Sequence, residues 1–427
     1  LTFQLVKFQL VFCFLLIHVF GQKDSYFKRV FVDAEYYMLY EEYRDALPLY
    51  LEILKSYPDN ANIYYRIGQC YLNIPDEKKK SIPYFEKAIT KTTDKYHEGY
   101  FTENKAPREA YLLLGRAYRI DSLFDKALDA FNTYKNLIGT SSSNESFIVD
   151  KEIESIGNAR EMISHPKNYK FISIDRNINT HFSEINPVTN LYGNILIYTS
   201  LQRFYNAILL SEYKDSSWTK PINLNPQLFA DGPISTVGIS EDASSLVFAR
   251  NDNDDFNLYI SKFDNLKKSW APLEKLPKEI NGRSWETYGS LTKSGDSLYF
   301  SSNRDGGIGG FDIYLSVKSQ NGTWSVPIGI GEEINTSFDE STPFITDNGN
   351  KLFFCSKGHS TMGGYDIFAS IKKDGKWTTP INLGYPLNTT DDDIFYFPMG
   401  DGLKGFISRN TPGSHGDNDI YMVIMDL

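Results

Sequence analysis

Two hydrophobic periods divide the chain. Between residues 24 and 165, small and aromatic positions recur three and four apart, which puts them on one face of successive helices. The first segment has Ala34, Tyr37, Ala46 and Tyr50. The second has Tyr64, Ile67, Gly68, Tyr71, Phe85 and Ala88. The third has Tyr111, Leu114, Gly115, Tyr118, Ala127, Phe131 and Tyr134. Ala34 to Gly68 is 34 residues and Gly68 to Gly115 is 47, which places an insertion near Lys91–Pro107. The small residues let paired helices approach and the aromatics fill the seam. A last helix over about Ser146–Ile163 is expected to cover the final apolar face.

From residue 169 onward the period shortens to two. Short apolar runs are punctuated by Gly, Asn, Asp, Ser and Pro, as strands and turns require. Val237–Ser261, Ser290–Ser316 and Thr342–Ser370 each read as a strand, a polar turn, an alternating strand, a Gly- or Asp-rich loop and a third strand. Trp218, Trp270, Trp324 and Trp377 are spaced 52, 54 and 53 residues apart, each shortly before a proline. Asn206, Asn257, Asp312, Asp366 and Asp419 mark five starts of the third strand at intervals of 51, 55, 54 and 53. The fifth copy ends before its tryptophan element. Tyr169–Thr180, ahead of the first inner strand, aligns with Trp324–Thr336 through Ile178-Asn179-Thr180 and Ile334-Asn335-Thr336, and Leu387-Asn388-Thr389 is a third instance. The pattern predicts a five-bladed ring in which Phe171–Ile174 lies alongside Tyr421–Ile424. Closure of that kind removes the exposed sheet edge. A truncated six-bladed ring is the alternative.

The fold class expected is therefore multidomain, α then all-β: a helical repeat array at 24–165, then a β-propeller at 169–427. Composition sharpens this. Forty-one per cent hydrophobic and 23% charged residues make a globular chain. A net charge of −10 argues against nucleic-acid binding, which needs a basic face. Of the three cysteines, Cys13, Cys70 and Cys355, none has a metal-ligand spacing, and Cys70 reads as a small buried residue. Leu1–Phe20 carries Lys7 and then a 13-residue mostly apolar run before Gly21, a secretory signal pattern over 1–21. A short membrane anchor is the other reading. Cys13 lacks the small preceding residue that acylation as a lipoprotein wants.

The helical half resembles the tetratricopeptide repeat. In that family a concave groove lined by the first helix of each repeat takes a peptide. The resemblance maps the groove here to Asn62, Tyr65, Gln69, Leu72, Leu112, Arg116 and Arg119, with the two arginines facing a partner carboxylate. The second half resembles the WD-repeat-like propellers of TolB-type proteins. It does so through Asp312-Ile313-Tyr314, Asp366-Ile367-Phe368 and Asp419-Ile420-Tyr421, and through the run ending Phe300-Ser301-Ser302-Asn303-Arg304-Asp305. The signature aspartates are expected to bond backbone at their turns. The order of signal, helical repeats and propeller is similar to the amino-terminal part of Bacteroidetes cell-envelope proteins of the OmpA family, some of which belong to type IX (Por) secretion. That resemblance implies an outer-membrane-associated periplasmic protein that binds envelope proteins or peptide segments. It implies peptidoglycan contact only through a carboxy-terminal domain that this chain does not contain; a chain ending naturally at Leu427 would be a pure scaffold.

The motifs of the enzymes that carry propellers do not occur in the sequence. A propeller-bearing serine peptidase needs G-x-S-x-G; Gly358–Gly363 has one residue too many. Asn251–Asp255 lacks the glycine and closing glutamate of a calcium loop and reads as a solvated hairpin. The histidines have no zinc spacing, and no cofactor is expected. One constellation stands out. Glu184, Glu286, Glu340 and Asp392 precede the innermost strands of four blades, with Asp231 offset in the fifth, and are candidates for an acidic collar at the channel mouth. A turn-forming feature, a ligand site in the channel and a five-bladed glycosidase are the readings it allows. The expectation is a non-enzymatic scaffold, with glycan or peptidoglycan-fragment binding as the alternative. Trp285 is the tryptophan outside the repeat element.

Overall fold

The computed structural model describes residues 24–139, 143–240, 242–346 and 349–426. The targeting segment Leu1–Phe20 lies outside them. Two compact units divide between Ile153 and Glu154, inside the long helix Ser143–Ser164. The later part of that helix is tied to the second unit, where Asn158 Nδ2 donates to Thr361 O at 2.9 Å.

In the first unit, a helix over residues 24–39 is followed by Tyr43–Ser56, Ala61–Asn73, Ser81–Ala88, Ala110–Ile120 and Phe124–Ile138. Local sequence sets the ends. The Asn60 side chain accepts from Ile63 N at 3.1 Å, an N-cap, and Gly139 at φ 62° stops the helix before it. The predicted seam is the core: Phe31, Ala46, Tyr50, Ile67, Phe85, Ala127 and Phe131 are buried. Gly115 is small for a reason, since a Cβ there would meet the Phe131 ring at 2.3 Å.

The second unit is a five-bladed β-propeller. Each blade pairs an inner, a second and a third strand antiparallel. In order the inner strands are Ser183–Thr189, Ile234–Ile239, Glu286–Leu291, Glu340–Thr346 and Tyr396–Met399. The third strands are Asn206–Lys214, Phe256–Asp264, Asp312–Val317, Asp366–Lys373 and Asp419–Met425. The outer strand of blade five comes from the start of the domain. Tyr169–Ser173 pairs antiparallel with Asp419–Met425, Phe171 opposite Val423 and Ile172 opposite Met422, as the repeat pattern predicted. The tryptophans pack between blades: Trp218 of blade one meets Phe406 of blade five, and Trp377 of blade four meets Tyr299 of blade three.

The axis of the ring is filled. Tyr288, Phe344 and Phe397 come from three different inner strands, and Phe395 precedes the last of these. The Phe344 ring lies 5.0 Å from both Phe395 and Phe397, and Tyr288 lies 6.0 Å from Phe395. At the far ends of the inner strands lies a cavity of about 50 Å³, lined in part by Phe344, Phe397 and Met399.

Candidate functional site

Three side-chain positions recur at the blade entries, and each has a structural task. The first is an asparagine. Asn179, Asn281, Asn335 and Asn388 accept from the backbone N–H of Ile420, Leu258, Ile313 and Ile367, and each amide donates to the carbonyl of that same residue, at 2.8–3.0 Å. A side chain thereby stands in for a neighbouring strand. Asn225 accepts from Ile208 N at 2.7 Å in blade two.

The second is the carboxylate of the expected collar. Glu184, Glu286 and Glu340 have no exposed surface at all. Glu340 accepts from Thr336 N and Thr336 Oγ1 at 2.7 Å and from Ser356 Oγ at 2.7 Å. Glu184 does the same with Thr180 and Ser200. Glu286 holds Gly282 N, Ser302 Oγ and Arg304, the last at 3.0 Å. These carboxylates are thus staples inside the entry turns, with no exposed surface, which is the turn-forming one of the three readings and leaves no open ligand ring at Glu184, Glu286 and Glu340. A correction concerns blade five. The staple there is Asp393, which accepts from Thr389 and, at 3.0 Å, from Arg409. Asp392 lies one residue off and is exposed. In blade two no carboxylate fills the position, and Asp231 pairs with Arg250 on the surface. Burial raises all four carboxyls above the ordinary range, Glu340 to about 7 and Asp393 to about 6 in spite of Arg409.

The third is the signature aspartate, which bonds loop backbone as expected. Asp312 takes Ile308 and Gly309 N–H, Asp366 takes Met362 and Gly363, and Asp419 takes His415 and Gly416. Each loop is pressed against the next blade. A Cβ on Gly416 would meet Phe182 O at 1.6 Å.

What differs between copies is the junction from one blade to the next. Four residues after the bridging asparagine the copies carry Ser183, Phe229, Trp285, Asp339 and Asp392. At the junction of blades three and four, Phe311 N donates to Asp339 Oδ1 at 3.0 Å. At four to five, Tyr365 N donates to Asp392 Oδ1 at 2.7 Å. At five to one, Asn418 Nδ2 donates to Ser183 Oγ at 3.2 Å. The other two junctions carry aromatics in place of this latch. Phe256 and Trp285 meet edge to face at 5.2 Å. Tyr205 and Phe229 line an open cleft of about 530 Å³ with Asn223, Pro226 and Asp231. Phe229 is 76% exposed and Phe204, beside Tyr205, is 87% exposed. Phe229 sits at φ 49°, a conformation that bulky residues seldom adopt. Exposed aromatics of this kind make these two junctions the candidate interaction surface.

Sequence reasoning singled out Trp285 but missed Phe204, Tyr205 and Phe229. The signal was present: Phe204 falls where the third copy has Gly306, and Phe229 where two copies have aspartate. The Asp-rich hairpin is self-contained, since Asp252 binds Asn257, Tyr259 and Lys275.

The tetratricopeptide groove candidates are occupied by the chain itself, which corrects their reading as a free surface. Asn62, Tyr65, Leu112 and Arg119 are buried, while Gln69, Leu72 and Arg116 are half-buried. Tyr96 of the insertion donates to Asn62 at 2.7 Å. Arg116 and Arg119 both pair with Glu152 of the helix Ser143–Ser164, Arg116 at 2.6 Å. The arginines found a carboxylate, and it is internal.

No family model matches the chain, and no curated protein matches it. Solved structures to which it is similar include a putative TolB from Agrobacterium tumefaciens, at 16% identity and a TM-score of 0.37, covering 58% of this chain and 78% of that one. TolB from Acinetobacter baumannii gives 11% and 0.37, covering 67% and 71%. The PQQ-bound aldose sugar dehydrogenase of Streptomyces coelicolor gives 10% and 0.35, covering 61% and 99%. Neighbours at this distance include TolB-type propellers and an enzyme, and they bear on neither activity nor partner.

Proposed function

We propose that this chain is a non-enzymatic scaffold for protein–protein assembly at the periplasmic side of the outer membrane, in an envelope assembly of the type IX secretion kind. The carrying observation is the aromatic arc on blades one to three. Two adjacent junctions forgo the polar latch and present Phe204, Tyr205, Phe229 and Trp285 instead. The ring axis filled by Phe344, Phe395 and Phe397 and the satisfied entry carboxylates support the absence of a reaction centre. The exported location rests on the signal pattern of Leu1–Phe20.

Phe229→Asp tests this reading. Aspartate tolerates the left-handed backbone better than phenylalanine, so the folded state stays level in stability or gains about 1 kcal/mol at most, and the thermal midpoint does not fall. Affinity capture from the native envelope with the wild-type chain returns a defined set of envelope proteins, and Phe229→Asp with Phe204→Ala loses them. Equal capture by both chains contradicts the proposal. The Tyr205–Phe229 cleft, with Asn223 and Asp231 at its rim, also suits a sugar ring. Glycan-array binding that disappears in the same variant would favour that second reading.

A further inference from the structure

The helix over residues 24–39 is apolar on both sides. One face buries Phe27, Val30, Phe31 and Ala34 in the core of the helical unit. The opposite face carries Val32, Tyr36 and Leu39, with Tyr40 in the turn that follows, at the i, i+4, i+7, i+8 spacing of a single helix face. These four are 56–76% exposed, and the Tyr36 and Tyr40 rings lie 4.8 Å apart. A terminal repeat ordinarily turns a polar face outward, and a helix that is hydrophobic all round belongs in an interior.

The charges around this face select its occupant. Arg29 closes the amino-terminal end, with its guanidinium over the Tyr26 ring at 5.8 Å, and Lys28 is exposed beside it. Glu41 and Glu42, both exposed, close the other end. Glu41 lies just past the helix terminus, where the helix dipole disfavours an acid, and it holds φ 59°, a conformation that Gly or Asn fills with less strain. Between the two ends the face carries no charge. Such a pattern is complementary to itself when turned end for end. A parallel copy would set like charges together, whereas an antiparallel copy sets the basic end on the acidic end. The acidic end also disfavours an anionic lipid surface.

We propose that the chain self-associates through this face, two copies packing the helix 24–39 antiparallel about a two-fold axis at Tyr36. Val32 of each copy then lies opposite Tyr40 of the other, and Arg29 is brought toward the other copy's Glu41 and Glu42. The contact is isologous, the same patch serving both copies. A single helix pair buries less than about 1,200 Å² in total, the size of weak and transient contacts. The pair brings two propellers into one assembly, so a partner with two matching sites is held by both at once.

Sedimentation of the full chain over about 1–200 μM, the range of a weak contact, tests this. The expected mass rises from one copy toward two. Leu39→Glu puts a charge into the apolar stretch and lowers the association about tenfold or more, with the thermal midpoint unchanged because the position is exposed. Arg29→Glu weakens it as well, and adding Glu41→Arg recovers affinity. Tyr36→Cys forms a dimer linked by a disulfide on mild oxidation, since paired helices run about 8–10 Å axis to axis and residues on the two-fold axis come within reach of each other. Lys28→Cys, whose two copies lie about 24 Å apart along the axis at about 1.5 Å per residue, does not. Phe229→Asp with Phe204→Ala leaves the association as it was, which separates this face from the propeller surface. A chain that stays monomeric throughout overturns the proposal, and so does cross-linking of Lys28→Cys as fast as Tyr36→Cys. A monomer that binds lipid vesicles and loses them in Leu39→Glu, or one whose intact mass retains residues 1–20, overturns it in favour of a membrane or of that segment.

Discussion

The carboxyl of Glu340 is surrounded by donors and still titrates high, because burial outweighs the three hydrogen bonds it accepts. Glu340 and Asp366 are raised to about 7 and Asp393 to about 6. In the unfolded chain such groups lose their protons near pH 4. Between those limits the native state binds more protons, so the stability they contribute is complete at low pH and is lost as pH rises through about 7. Glu340 alone accounts for ~3 kcal/mol at ~1.4 kcal/mol per unit. The thermal midpoint of the propeller should therefore fall from pH 5.5 to pH 8, and Glu340→Gln should flatten that slope. A flat wild-type profile, or an unchanged slope in the variant, contradicts the assignment. How legible these residues were depended on spacing. The carboxylates repeat five residues after an asparagine, which sequence can register. Blade five runs Asp391-Asp392-Asp393, and only the distance from Asn388 tells Asp393 from its neighbours. The task of Asn179 was not legible at all, since its backbone partner Ile420 lies at the other end of the domain.

At the scale of elements, the Gly-rich loops serve the next blade more than their own. Gly416 lies against Phe182 O, and Glu184 N donates to Asn418 O at 2.8 Å across the same junction. Gly416→Ala should destabilise the propeller by about 3 kcal/mol, as overpacking against backbone does. The same change at Gly157, mid-helix with open space around it, should stabilise by about 0.5–1 kcal/mol. Two thermal melts check both, and a silent Gly416→Ala contradicts the latch. Strands and blade count were readable because alternation and a near-constant interval of about 53 residues leave few other arrangements. The groove was misread for the opposite reason. An insertion has no periodicity, so nothing in Lys91–Pro107 says where Tyr96 will land, and the acid that meets Arg116 and Arg119 lies 33 residues or more downstream.

At the scale of the molecule, the propeller is latched unevenly. Four residues past the bridging asparagine, three junctions carry the polar latch and two adjacent ones carry an aromatic, and the aromatic pair carries the surface to which we assign partner binding. That assignment assumes a closed ring, because the order of junctions around the axis holds only if blade five is completed by Tyr169–Ser173. The pairing of Ile172 with Met422 puts two accessible side chains directly across the closing seam. Opposed residues on antiparallel strands lie within the reach of a disulfide, and Cys70 and Cys355 are buried away from exchange. The most direct measurement is therefore mild oxidation of an Ile172→Cys, Met422→Cys double variant, read by mass and by thermal melting. A closed ring predicts a rapid cross-link within the monomer and a raised melting temperature that reverts on reduction. Two free thiols, or cross-links only between molecules, would contradict closure and with it the five-blade arrangement.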